Sequence, residues 1–113
     1  MPTSKQTGNR GEDIASIYLE QRGYKIVGRN WRTRWCEIDI VANKNNDIYF
    51  IEVKYRSNDI YGDPLEYITT KKEQQMRFAA EVWAHNNNKN DASLRLAAIG
   101  IVAGREPIMV EIV

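Results

Sequence analysis

The residues best suited to chemistry lie in two short acidic segments, Cys36-Glu37-Ile38-Asp39-Ile40 and Phe50-Ile51-Glu52-Val53-Lys54, with Asp39 and Glu52 thirteen positions apart. Each segment sits in a run of β-branched and aromatic residues and reads as a strand. Side chains alternate along a strand, so Glu52 and Lys54 share one face while Ile51 and Val53 share the other. Asn43-Lys44-Asn45-Asn46-Asp47 has turn composition, which predicts a hairpin that carries Asp39 alongside Glu52 and Lys54. Two carboxylates there offer the hard oxygen ligands that Mg²⁺ or Mn²⁺ takes. The lysine adds positive charge where a phosphodiester would be attacked. Asp…Glu-x-Lys is an arrangement suited to metal-assisted hydrolysis of nucleic acid.

Each of these charges has a plainer alternative. Strand glutamates and lysines usually face water, and Glu52 with Lys54 would make an ordinary solvated pair. Their setting favours the chemical reading. Glu52 follows the apolar run Ile48-Tyr49-Phe50-Ile51, of the kind found in a central strand covered on both faces. Asp39 lies between Ile38 and Ile40, and charges in such strands are costly unless paired or metal-bound. Glu12 is a third carboxylate to consider. Asn9-Arg10-Gly11-Glu12 fits a capping box, and Glu12 also borders the apolar arc of its helix and could reach the sheet as an outer ligand. Glu37 shares the face of Asp39 and is either a candidate ligand in its place or a neighbour that raises the local negative charge.

Arg29, Arg32 and Arg34, interleaved with Trp31 and Trp35, form the densest basic and aromatic stretch, and Lys54-Tyr55-Arg56 follows close behind. Arginines hold phosphates and indoles stack on bases, so this stretch is a candidate nucleic-acid contact. The alternative is a hairpin with core tryptophans and solvated arginines. Lys71, Lys72 and Arg77 open a later helix, with Lys72 at the rim of its apolar stripe, and a helix N-terminus attracts phosphate by itself.

The elements that must position these residues follow from periodicity. Residues 1–7 are polar and are expected to form a disordered tail. A helix spans Asn9 to Arg22, stopped by Gly23, and a first strand runs from Tyr24 to Asn30. Residues 31–35 are a connection, and the hairpin strands lie at Glu37–Ala42 and Ile48–Tyr55. Ser57 to Pro64 is a loop. A long helix then starts at a capping box of Thr70 with Glu73. Met76, Ala79, Ala80 and Trp83 form its buried stripe. Two final strands, Leu94–Val102 and Ile108–Val113, are joined through Gly104 and Pro107. This order predicts an α/β fold with a mixed central sheet flanked by helices.

The chain has 113 residues, enough for one domain over 1–113 and too few for a catalytic module plus a separate DNA reader. Net charge is +1, so nucleic-acid affinity has to come from local clustering. One cysteine excludes an internal disulfide, and one histidine excludes His-based metal chemistry. No apolar run approaches the roughly 18 residues of a membrane span, and the N-terminus lacks the apolar core of a signal peptide. The expectation is a cytoplasmic protein with no membrane partner.

The chain also resembles the YraN-like predicted endonucleases of the PD-(D/E)xK restriction-endonuclease-like superfamily, which are distantly similar to archaeal Holliday-junction resolvases. The resemblance is carried by Gly11-Glu12, Ala15, Leu19 and Gly23-Tyr24; by Arg29-Asn30 and Glu37-Ile38-Asp39; by Phe50-Ile51-Glu52-Val53-Lys54 with Arg56; and by Tyr61-Gly62, Ile68, Lys72 and Arg95. It implies an αβββαβ core, Asp39 and Glu52 as metal ligands and Lys54 as the catalytic lysine. By analogy with the resolvases, Glu12 completes the acidic cluster. Lys72 matches a family lysine without an assigned role. The chain departs from the family at Cys36, where glycine is usual, and at Leu96-Ala97, where Phe-Asp is usual.

Together these observations predict a Mg²⁺- or Mn²⁺-dependent endonuclease acting on DNA, with branched or flapped DNA among its candidate substrates. Asp39, Glu52 and the Val53 carbonyl would hold the metal. Glu12 and Lys54 would complete the catalytic set. Arg29, Arg32, Arg34, Arg56 and Lys72 would contact DNA. A homodimer is compatible with this reading. The rivals are a non-catalytic nucleic-acid-binding module and an assembly subunit on the same fold. Retention of Lys54 favours the enzyme, because a structural metal site has no need of it.

Overall fold

Three hydrophobic runs at strand period followed by a helix, and then two more runs, assemble into one five-stranded sheet. In the computed structural model, which describes residues 4–56 and 64–112, the order in sequence is α1 (Ser4–Gln21), β1 (Lys25–Arg32), β2 (Glu37–Lys44), β3 (Asp47–Arg56), a short 3-10 turn (Pro64–Tyr67), α2 (Thr70–Asn86), β4 (Ser93–Val102) and β5 (Ile108–Ile112). The spatial order is β1-β2-β3-β4-β5. β3 and β4 pair in parallel over ten residues, and the other pairs are antiparallel. The mixed α/β sheet between helices is thus the one expected.

Two apolar layers flank the sheet. Ala15 and Leu19 of α1 pack with Ile40, Ala42, Ile51, Ala97, Ile99 and Ile101 on one face. Met76, Ala79, Ala80 and Trp83 of α2 pack with Ile38, Val41, Ile48, Phe50 and Leu96 on the other. The predicted stripe of α2 is buried, and Trp83 meets Phe50 edge to face at 5.7 Å. The β2–β3 turn is the two-residue connection Asn45-Asn46, with Asn45 in the left-handed region at φ 59°, which asparagine tolerates better than most residues.

Local details depart from expectation. α1 begins at Ser4, so residues 4–7, expected in a tail, are helical, and Glu12 lies in the helix interior instead of a capping box. β1 continues through Trp31 and Arg32, because Trp31 pairs with Ile38 and packs against the α2-side core. The cap of α2 is Thr69, one residue earlier than Thr70. Its extended backbone lets its hydroxyl accept the Lys72 amide at 3.0 Å. Glu73 therefore falls past the capping position and pairs with Arg77 at 3.7 Å. The loop expected at Ser57–Pro64, with Tyr61-Gly62, lies outside the described residues but for Pro64 in the 3-10 turn.

Candidate active site

The site forms where two strands part. The β2–β3 ladder runs from Lys44↔Asp47 to Ile40↔Ile51 and stops there, one pair short of Asp39 and Glu52. β3 keeps its pairing to β4 as far as Arg56↔Val102. Residues two apart in a strand normally share a face, yet Ile38 packs in the α2-side core and Ile40 in the α1-side core. β2 therefore turns over at Asp39. Across from this point Asn30 of β1 sits at φ 55°, between the pairs Arg29↔Ile40 and Trp31↔Ile38. The strand's twist opens a fork, and the Val53 amide in it donates to Asp39 Oδ2 at 2.7 Å.

Acidic side chains converge on the fork. One carboxylate oxygen each from Glu12, Glu37 and Asp39 lies within 4.8 Å of the others. Glu12 comes from α1 and is 7% exposed. Its approach depends on Gly11, where an added Cβ would stand 2.9 Å from Tyr55 Cβ, so only glycine lets the helix lie this close to β3. Arg29 ties Glu12 down at 3.4 Å and takes Asp13 at 2.8 Å. Burial, followed by the charge of Glu52, pushes the Asp39 carboxyl up to about 7, with Glu12 and Glu37 adding to the effect and the Val53 amide opposing it.

Glu52, also 7% exposed, is flanked by two ammonium groups. Lys54 Nζ lies 3.5 Å from its Oε1 and Lys72 Nζ 3.1 Å from its Oε2. Burial works against the Lys72 charge, but the Glu52 carboxylate outweighs it and holds the lysine above its ordinary value. The tight carboxylate group is thus Glu12, Glu37 and Asp39, while Glu52 stands beside it in contact with lysines. Glu37, read from sequence as a ligand in place of Asp39 or as a neighbour that adds negative charge, lies beside Asp39 and raises its carboxyl, as the second of these readings expects. Cys36 is buried next to this cluster. Burial raises its thiol, Lys72 lowers it, and Glu52, Asp39 and Glu37 raise it further, which leaves it protonated and a poor nucleophile. Ala97, the other departure from the family pattern, is fully buried under α1.

The arginines expected to form one patch do not. Arg29 is engaged by α1, and Arg32 pairs with Glu37 at 2.7 Å. Arg34 lies over the Trp35 ring at 5.0 Å, and Arg56 over Tyr67 at 5.1 Å. Trp31 is partly buried against the core and Trp35 is 60% exposed. Two features went unrecognised in the sequence. The role of Gly11 needs the helix–strand contact. Phe78, 48% exposed on α2, stands off the buried stripe, and an aromatic on the polar face of a helix is the signal that could have marked it.

Comparison with known proteins sets this geometry in context. The model of uncharacterised protein family UPF0102 matches residues 11–103. The UPF0102 protein of Leifsonia xyli is 41% identical over 102 residues, covering 90% of this chain and 86% of its own. That of Geobacter metallireducens is 41% identical over 105 residues, covering 92% and 86%. Among solved structures, the Holliday junction resolvase of Archaeoglobus fulgidus aligns with 91% of this chain and 75% of its own at TM-score 0.53 and 17% identity. The fold is therefore of the resolvase type.

Proposed function

The chain belongs to the uncharacterised protein family UPF0102, and from that premise we propose that it is a Mg²⁺- or Mn²⁺-dependent endonuclease acting on DNA in the cytoplasm. The observation that carries the reading is the fork at Asp39, where the half-buried Asp39 and Glu37 of β2 and the buried Glu12 of α1 crowd together, with the buried Glu52 of β3 and its two lysines beside them. The donor set suits a hard divalent cation, since all its atoms are carboxylate oxygens. Burial first, and then the crowded negative charge, raises the Asp39 carboxyl, and a cation would relieve the crowding.

Asp39, Glu52 and the Val53 carbonyl would hold the ion, with Glu12 and Glu37 as further oxygen donors around Asp39. When bound, the ion supplies positive charge that polarises the phosphodiester and makes water more acidic. The residues of the chain do the rest. The Val53 amide fixes the Asp39 carboxylate in the fork. Arg29 holds Glu12 against the sheet. Glu52 keeps the Lys54 ammonium at the mouth of the site, where it opposes the charge that grows on the phosphate during attack. The likeness in fold to a resolvase makes branched DNA the first substrate class to test.

The test is a cleavage panel of single-stranded, duplex, flap and four-way DNA with Mg²⁺ or Mn²⁺, using protein freed of host nucleases. Cleavage that disappears in Asp39→Ala and Lys54→Ala supports the reading. Lys54→Ala should spare DNA binding, because the lysine acts mainly on the transition state. Activity equal in both variants would indicate a contaminant. Wild-type protein inert on every substrate would assign the fold to DNA binding without catalysis.

A further inference from the structure

Between the β1–β2 turn and the outer face of α2 lie two adjoining hollows of about 380 and 370 Å³. Trp35 and Phe78 border both, so an aromatic wall stands between them. These side chains are among the most exposed large hydrophobics described, at 60% and 48%. Trp35 is held outward by a built turn. Thr33 Oγ1 accepts the amides of Trp35 at 3.2 Å and Cys36 at 3.1 Å, and the Thr33 amide donates to the Cys36 carbonyl at 2.8 Å. Lys71 lines one hollow, and Arg32 and Arg34 line the other; no acidic side chain lines either. Neither Arg34 nor Lys71 forms an ion pair with a described residue.

The groove is joined to the fork along the chain at two points. Lys71 is followed in the chain by Lys72, which holds Glu52. Trp35 is followed by Cys36 and by Glu37, a member of the carboxylate group. An exposed aromatic wall with cations at both ends suits a polyanion whose rings can stack, and a base offers its face only when it is unpaired. A second copy of the chain is a poorer occupant, because a two-fold contact here would bring the Arg34 and Lys71 cations of one protomer towards those of the other.

We propose that this groove binds unpaired DNA bases on Trp35 and Phe78, so that the substrate reaching the fork carries single-stranded nucleotides next to the bond to be cut. The inference rests on the reading of the fork as a DNA site. It extends that reading by naming the substrate class.

The test measures binding of labelled oligothymidylate and of a blunt duplex by fluorescence anisotropy in EDTA, with wild-type protein and with Trp35→Ala, Phe78→Ala and Trp35→Phe. Both truncated side chains are exposed, and circular dichroism checks that the variants fold. Trp35→Ala and Phe78→Ala should each weaken oligothymidylate binding by about fivefold or more, the loss of one stacking contact, and leave duplex binding unchanged. Trp35→Phe should restore most of the affinity. The wild-type tryptophan emission should be quenched by the oligonucleotide. Unchanged affinity in the alanine variants, or an equal loss for both DNAs, would overturn the proposal. So would a dimer in sedimentation that Trp35→Ala disperses, which would give the groove to a second copy. EDTA keeps this result separate from catalysis: a protein that binds through the groove and cuts nothing retains this inference and loses the nuclease reading, and the reverse outcome does the opposite.

Discussion

Asp39 carries its charge at the expense of the fold. An unfolded chain ionises this carboxyl near 3.8, whereas the folded protein holds it protonated up to about 7. As pH rises between those values the unfolded state loses its proton first, so native stability falls, and above about 7 the penalty stays constant. Asp39→Asn keeps an oxygen for the Val53 amide and removes the charge. In metal-free protein it should raise stability at pH 8 by about 1–4 kcal/mol and have little effect below pH 4, which urea titration at the two pH values measures. Mn²⁺ should raise the thermal stability of the wild type at pH 8, and the same variant should lose that gain, as a metal site at Asp39 requires. Glu52 presents the opposite case, a buried charge made tolerable by partners. Lys72→Ala should cost about 1–3 kcal/mol because it leaves Glu52 short of its nearer cation. Exposed Lys71→Ala should cost under about 0.5 kcal/mol. Equal losses in the two would show that the Lys72–Glu52 contact at 3.1 Å is energetically silent.

At the scale of elements, the hairpin and the α2 stripe were legible because both signals are local. Asparagine-rich turn residues between two apolar runs give β2 and β3, and apolar residues at helical spacing give the buried face of α2. Trp83→Ala should destabilise the fold by about 3–5 kcal/mol in chemical denaturation, since Trp83 is 8% exposed and packs on Phe50. What was not legible arises where elements meet. The face change of β2 at Asp39 comes from the end of one ladder, and no pattern within β2 announces it. The separation of Arg29 from Arg34 follows from α1 supplying Glu12 and Asp13, far away in sequence. The approach of α1 to β3 is likewise a matter of one missing methyl. Gly11→Ala should push the helix away from Tyr55, cost about 1–3 kcal/mol, and weaken Mn²⁺ binding by displacing Glu12. A Gly11→Ala protein with unchanged Mn²⁺ affinity would remove Glu12 from the ligand set.

For the molecule as a whole, a net charge of +1 leaves the proposed DNA binding to local cations, whose number sets its salt response. Near the site Arg29, Arg32, Lys54 and Lys72 are already paired, so that Arg34, Arg56 and Lys71, which form no ion pair among the described residues, are the cations there for phosphates. A plot of log affinity against log salt for duplex DNA should therefore have a shallow slope of about −3, in keeping with three or four contacts. A slope near −8 would mean that a larger basic surface has been missed. The order of strands has a kinetic corollary. β1, β2 and β3 join through short turns and can pair as soon as they exist. β4 reaches its ten-residue parallel partner only after residues 57–92 have closed a long crossover, which is intrinsically slow. Until then β3, with Glu52 and Lys54 on it, is an open apolar edge inviting another chain to pair with it. Newly made protein should refold in at least two kinetic phases and aggregate most readily in the interval between them, before the last two strands pair beside the strand that carries Glu52 and Lys54.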